Sequence, residues 1–162
     1  MISALMMINF PDLPGESGDQ TDEKLILNKL TEEKLPVSKV ELKNILASVE
    51  THENVSFSAV ELVYVDEEEI QRINREYLDH DYVTDIITFR NDEYKHLNRI
   101  EGTIFCCAPR IREQADEYGE KPRNEFNRVF VHGLLHLAGY DDRTETEKVK
   151  MTGREDFYLG LV

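Results

Sequence analysis

Basic residues are scarce in this chain: 19 Lys and Arg stand against 33 Asp and Glu, a net charge of −14 over 162 residues. That balance excludes a protein that coats nucleic acid through charge alone. Cysteine is scarcer still. Cys106 and Cys107 are adjacent in TIFCCA, a run that reads as a strand. Strand neighbours point to opposite faces, so the two neither pair with each other nor share a metal. No disulfide framework follows, and the cytoplasm is the expected compartment. No apolar run approaches the roughly 20 residues that span a bilayer, so no membrane association is expected. The opening MISALMMINF lacks the basic leader and small-residue cleavage site of a signal peptide and reads as a short strand.

What is present suits one soluble domain over residues 1–162, long enough to bury a substantial core. The charge is unevenly spread. Residues 1–69 hold 15 acids and 5 bases, residues 70–162 hold 18 and 14, and the stretch from Arg90 to Arg128 is neutral. A local cationic groove of Arg110, Arg112, Arg123, Arg128 and Arg143 is compatible with that distribution. Solvated helix faces with interspersed ion pairs are equally so.

After the opening strand, residues 11–36 are rich in Pro, Gly, Ser and acids and read as a loop-rich segment, with a short helix at Glu23–Leu30. Ser38 and Glu41 form a capping-box pattern ahead of a helix with apolar Val40, Ile45, Leu46 and Val49. Ser58–Val65 reads as a strand, and Asp66 as the cap of a helix facing inward with Ile70, Ile73, Tyr77 and Leu78. Thr84–Arg90 is a second strand. A hairpin-like connection containing Asn91 and Asp92 leads to a third, Ile100–Ala108. Pro109 suits the first turn of a helix reaching about Tyr118, and Gly119–Pro122 breaks it. Asn124 is placed to cap the next helix, and a last one runs from Thr144 to Leu159. The order predicts an α+β fold with a small mixed sheet packed against about five helices.

Residues 132–142 read HGLLHLAGYDD. His132 and His136 stand one helical turn apart, with Cβ atoms roughly 5–6 Å apart on one face, so both imidazoles can reach one ion at about 2.0–2.1 Å. Gly139 stands where helices commonly end in a left-handed residue. Beyond it, either Asp141 or Asp142 can return a carboxylate. Three ligands and a free fourth position describe a catalytic zinc site. Zinc peptidases with HExxH take their general base from the residue after the first histidine; here that residue is Gly133. Phe126, Phe130, Leu134 and Leu137, widened by Val131, Leu135 and Ala138, leave only a narrow stripe of Glu125, Arg128, Val129, His132 and His136. A helix so apolar is buried, and its polar stripe must face a cleft or satisfied partners. His52, His80 and His96 lie outside the cluster and read as surface residues.

The run from His132 to Asp141 resembles the signature of the YbeY family, single-domain zinc-dependent endoribonucleases of ribosomal RNA maturation. The resemblance extends to INREY at Ile73–Tyr77, TDIITF at Thr84–Phe89, Gly102-Thr103-Ile104, and Met151 and Glu155 in the last helix, covering roughly residues 55–160. Two positions depart from it. The third ligand, usually histidine, is Asp142 here; aspartate ligates zinc at a similar distance, and its charge makes bound water less acidic. Leu78 stands where many members carry an arginine implicated in cleavage.

The resemblance implies a single-strand-specific endoribonuclease acting on ribosomal RNA precursor in small-subunit 3′-end maturation, with the ribosome or its small-subunit proteins as partners. One Zn²⁺ per chain is expected on His132, His136 and Asp142. Arg128 is expected to serve catalysis beside His132, Asp85 to hydrogen-bond a ligand histidine, and Arg110 and Arg143 to meet phosphates. A zinc peptidase-like hydrolase and a non-catalytic ribosome-associated zinc protein are the alternatives.

Overall fold

The protein's computed structural model describes residues 23–91 and 99–162, together with the backbone of residues 4–7. Five strands pair into one sheet: β1 (Ala4–Met7), β2 (Leu25–Leu30), β3 (Ser56–Val65), β4 (Ile86–Asn91) and β5 (Arg99–Cys107). Five helices surround it: α1 (Lys39–Glu53), α2 (Glu67–Leu78), α3 (Ala108–Tyr118), α4 (Pro122–Leu137) and α5 (Glu145–Leu159). The sheet order is β1-β4-β5-β3-β2. β4 and β5 run antiparallel and the other three pairs parallel, so the sheet is mixed and the α+β expectation holds. Among the described residues no helix is long and apolar enough to cross a membrane.

Alternation along the strands creates two cores of unequal size. Phe57, Val60, Leu62 and Tyr64 of β3 enter the larger cluster, with Leu42 and Leu46 of α1 and Phe126, Phe130 and Leu134 of α4. Val63 and Val65 turn to the other face, where Ile70 and Ile73 of α2 cover them. Cys106 and Cys107 part in the same way, both buried and both free. Each fully buried Leu, Ile or Phe contributes about 1.5–3 kcal/mol, so the larger face carries most of the stability.

α4 lies at the centre of that face, against α1, α3, α5, β4 and β5. Gly133 is what lets it sit so close. A Cβ there would come 2.9 Å from Ile86 Cδ1 and 3.0 Å from Ile104 Cδ1, both in the sheet. With Gly133 against the sheet, His132 and His136 fall together on one flank of the helix.

Several local expectations are corrected. Leu25–Leu30 is a strand, not a helix; it pairs in parallel with Leu25 opposite Val60 through Leu30 opposite Val65. Its hydrogen bonds with β3 and the burial of Leu25 outweigh a helical pattern that would set Ile26, Leu27 and Leu30 on one face. The rest of the loop-rich reading up to residue 22, and Asp92, lie outside the described residues. The Ser38 cap forms half of its box: Ser38 Oγ accepts from Glu41 N–H at 3.2 Å, while the Glu41 carboxylate turns to Arg123 and Asn127. Asp66 occupies an N-cap position without a side-chain cap bond and accepts instead from Thr31 Oγ1. The histidine helix starts earlier than Asn124, with Lys121 as N-cap and Pro122 in the first turn, where a missing N–H costs nothing. The reciprocal box appears at α5: Thr144 Oγ1 accepts from Glu147 N–H, and the Glu147 carboxylate accepts from Thr144 N–H.

Candidate metal centre

The end of α4 builds the site. After Leu137, Gly139 turns to φ 106°, Tyr140 N–H returns to Leu135 O at 2.9 Å and Gly139 N–H to His136 O at 3.0 Å. This pair of bonds is the Schellman arrangement, which closes the helix and reverses the chain. Three further residues lead to the Thr144 cap of α5, so Asp142 is held between two fixed helix ends.

Both histidines are anchored through Nδ1. His132 Nδ1 meets Glu155 Oε1 at 3.2 Å, and His136 Nδ1 donates to Tyr140 O at 3.0 Å. Such bonds fix ring orientation and turn each Nε2 to the opposite side. The two Nε2 atoms are 2.9 Å apart, and Asp142 Oδ2 lies 3.4 Å from that of His132 and 3.6 Å from that of His136. These three residues are the metal-capable group among the described residues. These separations would let all three atoms reach one ion at about 2.0–2.1 Å.

The charges follow from the contacts. Burial opposes a charge on His132, but the carboxylates of Asp142 and Glu155 outweigh it and hold the imidazole up at about 9. Burial and the charged His132 push His136 down. Asp142, although partly buried, is held below the usual carboxylate range by the two histidines. The cluster thus favours a positive charge between the two histidines and Asp142, in the place a cation would take.

The site opens into a cleft of about 390 Å³ between α3, α4 and α5, with His132, Asp142, Arg128, Glu125 and Met151 in its lining. Arg128 is on this cleft but engaged, bonded to Asp156 at 2.7 Å and 3.8 Å from Glu155. Asp85 bonds to neither histidine: its buried carboxylate accepts from Gln114 Nε2 at 3.2 Å and Thr84 Oγ1 at 3.4 Å. The carboxylate that reaches a histidine of the trio is that of Glu155. Arg110 is outside the cleft lining, tied to Glu113 and Glu117 on its own helix. Arg143, 79% exposed, pairs with Asp141 at 3.3 Å. Arg112 and Arg123 are bound to Glu33 and Glu41. The five arginines therefore form interspersed ion pairs rather than an open cationic groove. His52 and His80 are exposed and apart from the site, and His96 lies outside the described residues.

Glu155 and the Tyr140 carbonyl were not given roles by the sequence reading. Glu155 had a signal: it interrupts the buried stripe of α5 between Met151 and Tyr158, and an acid there needs a partner inside.

A family model described as Endoribonuclease YbeY matches residues 25–161. The Endoribonuclease YbeY of Cytophaga hutchinsonii is 39% identical over 123 residues, covering 76% of this chain and 85% of that one. That of Chloroherpeton thalassium is 34% identical over 138 residues, covering 85% and 94%. The solution structure of TM1509 from Thermotoga maritima superposes with a TM-score of 0.54 at 25% identity, covering 83% of this chain and 86% of that one. The match begins with β2 and runs through His132, His136 and Asp142 to the end of α5. The chain belongs to the YbeY family.

Proposed function

We propose that the chain is a zinc-dependent, single-strand-specific endoribonuclease that acts in the cytoplasm on ribosomal RNA precursor, in small-subunit 3′-end maturation and in contact with the ribosome. The observation that carries the reading is the trio of His132, His136 and Asp142 converging at the floor of an open cleft, in a chain whose relatives are named endoribonucleases. Zinc held there supplies a Lewis acid for a phosphoryl oxygen and lowers the pKa of a water.

The chain's own residues do the rest. Glu155 and the Tyr140 carbonyl keep both Nδ1 atoms occupied, so both Nε2 lone pairs serve the ion. Arg128, one turn before His132, exchanges its contact with exposed Asp156 for a substrate phosphate. A guanidinium suits that role through its planar, bidentate donors. Arg143, exposed and paired with Asp141, exchanges that contact for a phosphate at the rim. Asp85 acts from below by anchoring Gln114. The peptidase alternative has no foothold at Gly133, since a side chain at that position would enter the sheet rather than the cleft.

The test is metal analysis combined with cleavage of single-stranded RNA by wild type and His136→Ala. The reading expects zinc and cleavage in the first and neither in the second. Equal cleavage by both would assign the activity to a contaminant.

A further inference from the structure

Two helical turns before His132, at the other end of the same cleft, a second polar group faces the opening. Glu125 is 1% exposed, yet it lines the cleft. Its Oε1 accepts from Gln114 Nε2 at 2.8 Å, and Gln114 is held from behind by Asp85 at 3.2 Å. Among the described residues Oε2 of Glu125 makes no hydrogen bond, and the carboxylate is held at the edge of the cleft by a three-residue chain. Beside it on the rim stands Tyr118, the last residue of α3, 58% exposed and also lining the cleft. Met151 supplies an apolar wall, and Arg128 lies between this end and the metal end.

We propose that this end of the cleft is a nucleobase subsite, in which Tyr118 stacks on an unpaired base and Glu125 Oε2 accepts a hydrogen bond from the base's exocyclic amino group. The inference rests on the endoribonuclease reading above and adds a base preference to it. Seven residues of helix separate Glu125 from His132, about 10 Å along the axis, room for a base adjoining a phosphate at the metal end. Cytosine, adenine and guanine carry an exocyclic amino donor, whereas uracil presents carbonyl oxygens at the corresponding places; a fixed acceptor therefore discriminates against uracil. Asp85 acquires a role through this chain as a positioning residue, since it holds Gln114, which holds Glu125.

The experiment measures binding of fluorescein-labelled oligo(C), oligo(A) and oligo(U) to chelator-treated protein, and cleavage of the same oligomers by the zinc-loaded protein. Wild type is expected to favour oligo(C) and oligo(A) over oligo(U) by about tenfold, the size of one hydrogen bond to a charged group. Glu125→Gln keeps the bond to Gln114 through its carbonyl and turns an amino donor to the cleft, so the preference should shift towards oligo(U). Tyr118→Ala should weaken all three oligomers by about tenfold, and Tyr118→Phe should leave them unchanged, because stacking needs the ring and not the hydroxyl. Equal affinity of wild type for the three oligomers overturns the proposal, whether or not Glu125→Gln folds. So does wild-type binding by Tyr118→Ala. Cleavage of all three oligomers at one rate would overturn the subsite and leave the endoribonuclease reading standing; zinc-loaded protein that cleaves none would overturn that reading instead.

Discussion

The two long faces of α4 follow different rules. Towards the sheet, Phe130, Gly133, Leu134 and Leu137 are packed without slack, and no atom there has a chemical task. Towards the cleft, Glu125, Arg128, His132 and His136 are polar on an otherwise buried helix, and each is held by a named partner from another element or from the chain's return after Gly139. The lesson is that the fold and the chemistry share one helix but not the same positions. Substitution on one face should break the protein, and on the other only its site.

Gly133→Glu is the severest test of that division and should have the largest effect. It would restore the peptidase-like HExxH pattern in sequence, but the new side chain would enter a filled core between Ile86 and Ile104. A loss of more than about 4 kcal/mol is expected, the range of an unpaired charge forced into a core. Urea melts beside His136→Ala, which should remain folded, check the contrast. A stable Gly133→Glu protein would break it.

Glu155→Ala tests whether the cleft face depends on its supports. Loss of the carboxylate on His132 Nδ1 should weaken zinc binding by about 10–100-fold. Asp156→Ala removes only the exposed partner of Arg128 and should leave zinc affinity within about twofold of wild type. Competition with a chromogenic chelator measures both.

The pH response has opposite signs in the two states. His132 is raised to about 9 in the metal-free fold against an unfolded value near 6.5. Its contribution to metal-free stability is thus complete below about pH 6.5 and is lost as pH rises through about 9. The same proton must leave for zinc to bind, so apparent zinc affinity should rise over that window, by up to about tenfold per pH unit. His136, pushed down, adds little. Melting curves of stripped protein and zinc titrations at pH 6.5, 7.5 and 8.5 should therefore move in opposite directions; parallel movement would contradict the assignment of the proton.

Legibility in the sequence followed the range of the interactions. The histidine helix announced itself because its two histidines, its glycine turn and its apolar stripe are all local, within Phe126–Asp142. α5 was legible from Thr144 to Leu159, although the capping box that starts it was expected at Ser38 and forms at Thr144–Glu147 instead. β2 was not, because LILNKL becomes a strand only through β3, about 35 residues away in sequence. Nor was the fate of the arginines: Arg112 meets Glu33 and Arg123 meets Glu41 across the fold, pairs that no spacing rule reveals. Asp85 was assigned the contact that Glu155 makes, because sequence places a carboxylate near a strand start but does not say which way it faces.

The central claim is that Asp142 completes a three-ligand zinc centre with His132 and His136. Zinc content of purified protein, measured by mass spectrometry on wild type, Asp142→Ala and Asp142→His, tests it most directly. One zinc per chain is predicted for wild type and for Asp142→His, and less than about a tenth of that for Asp142→Ala. Full occupancy in a folded Asp142→Ala protein would contradict it.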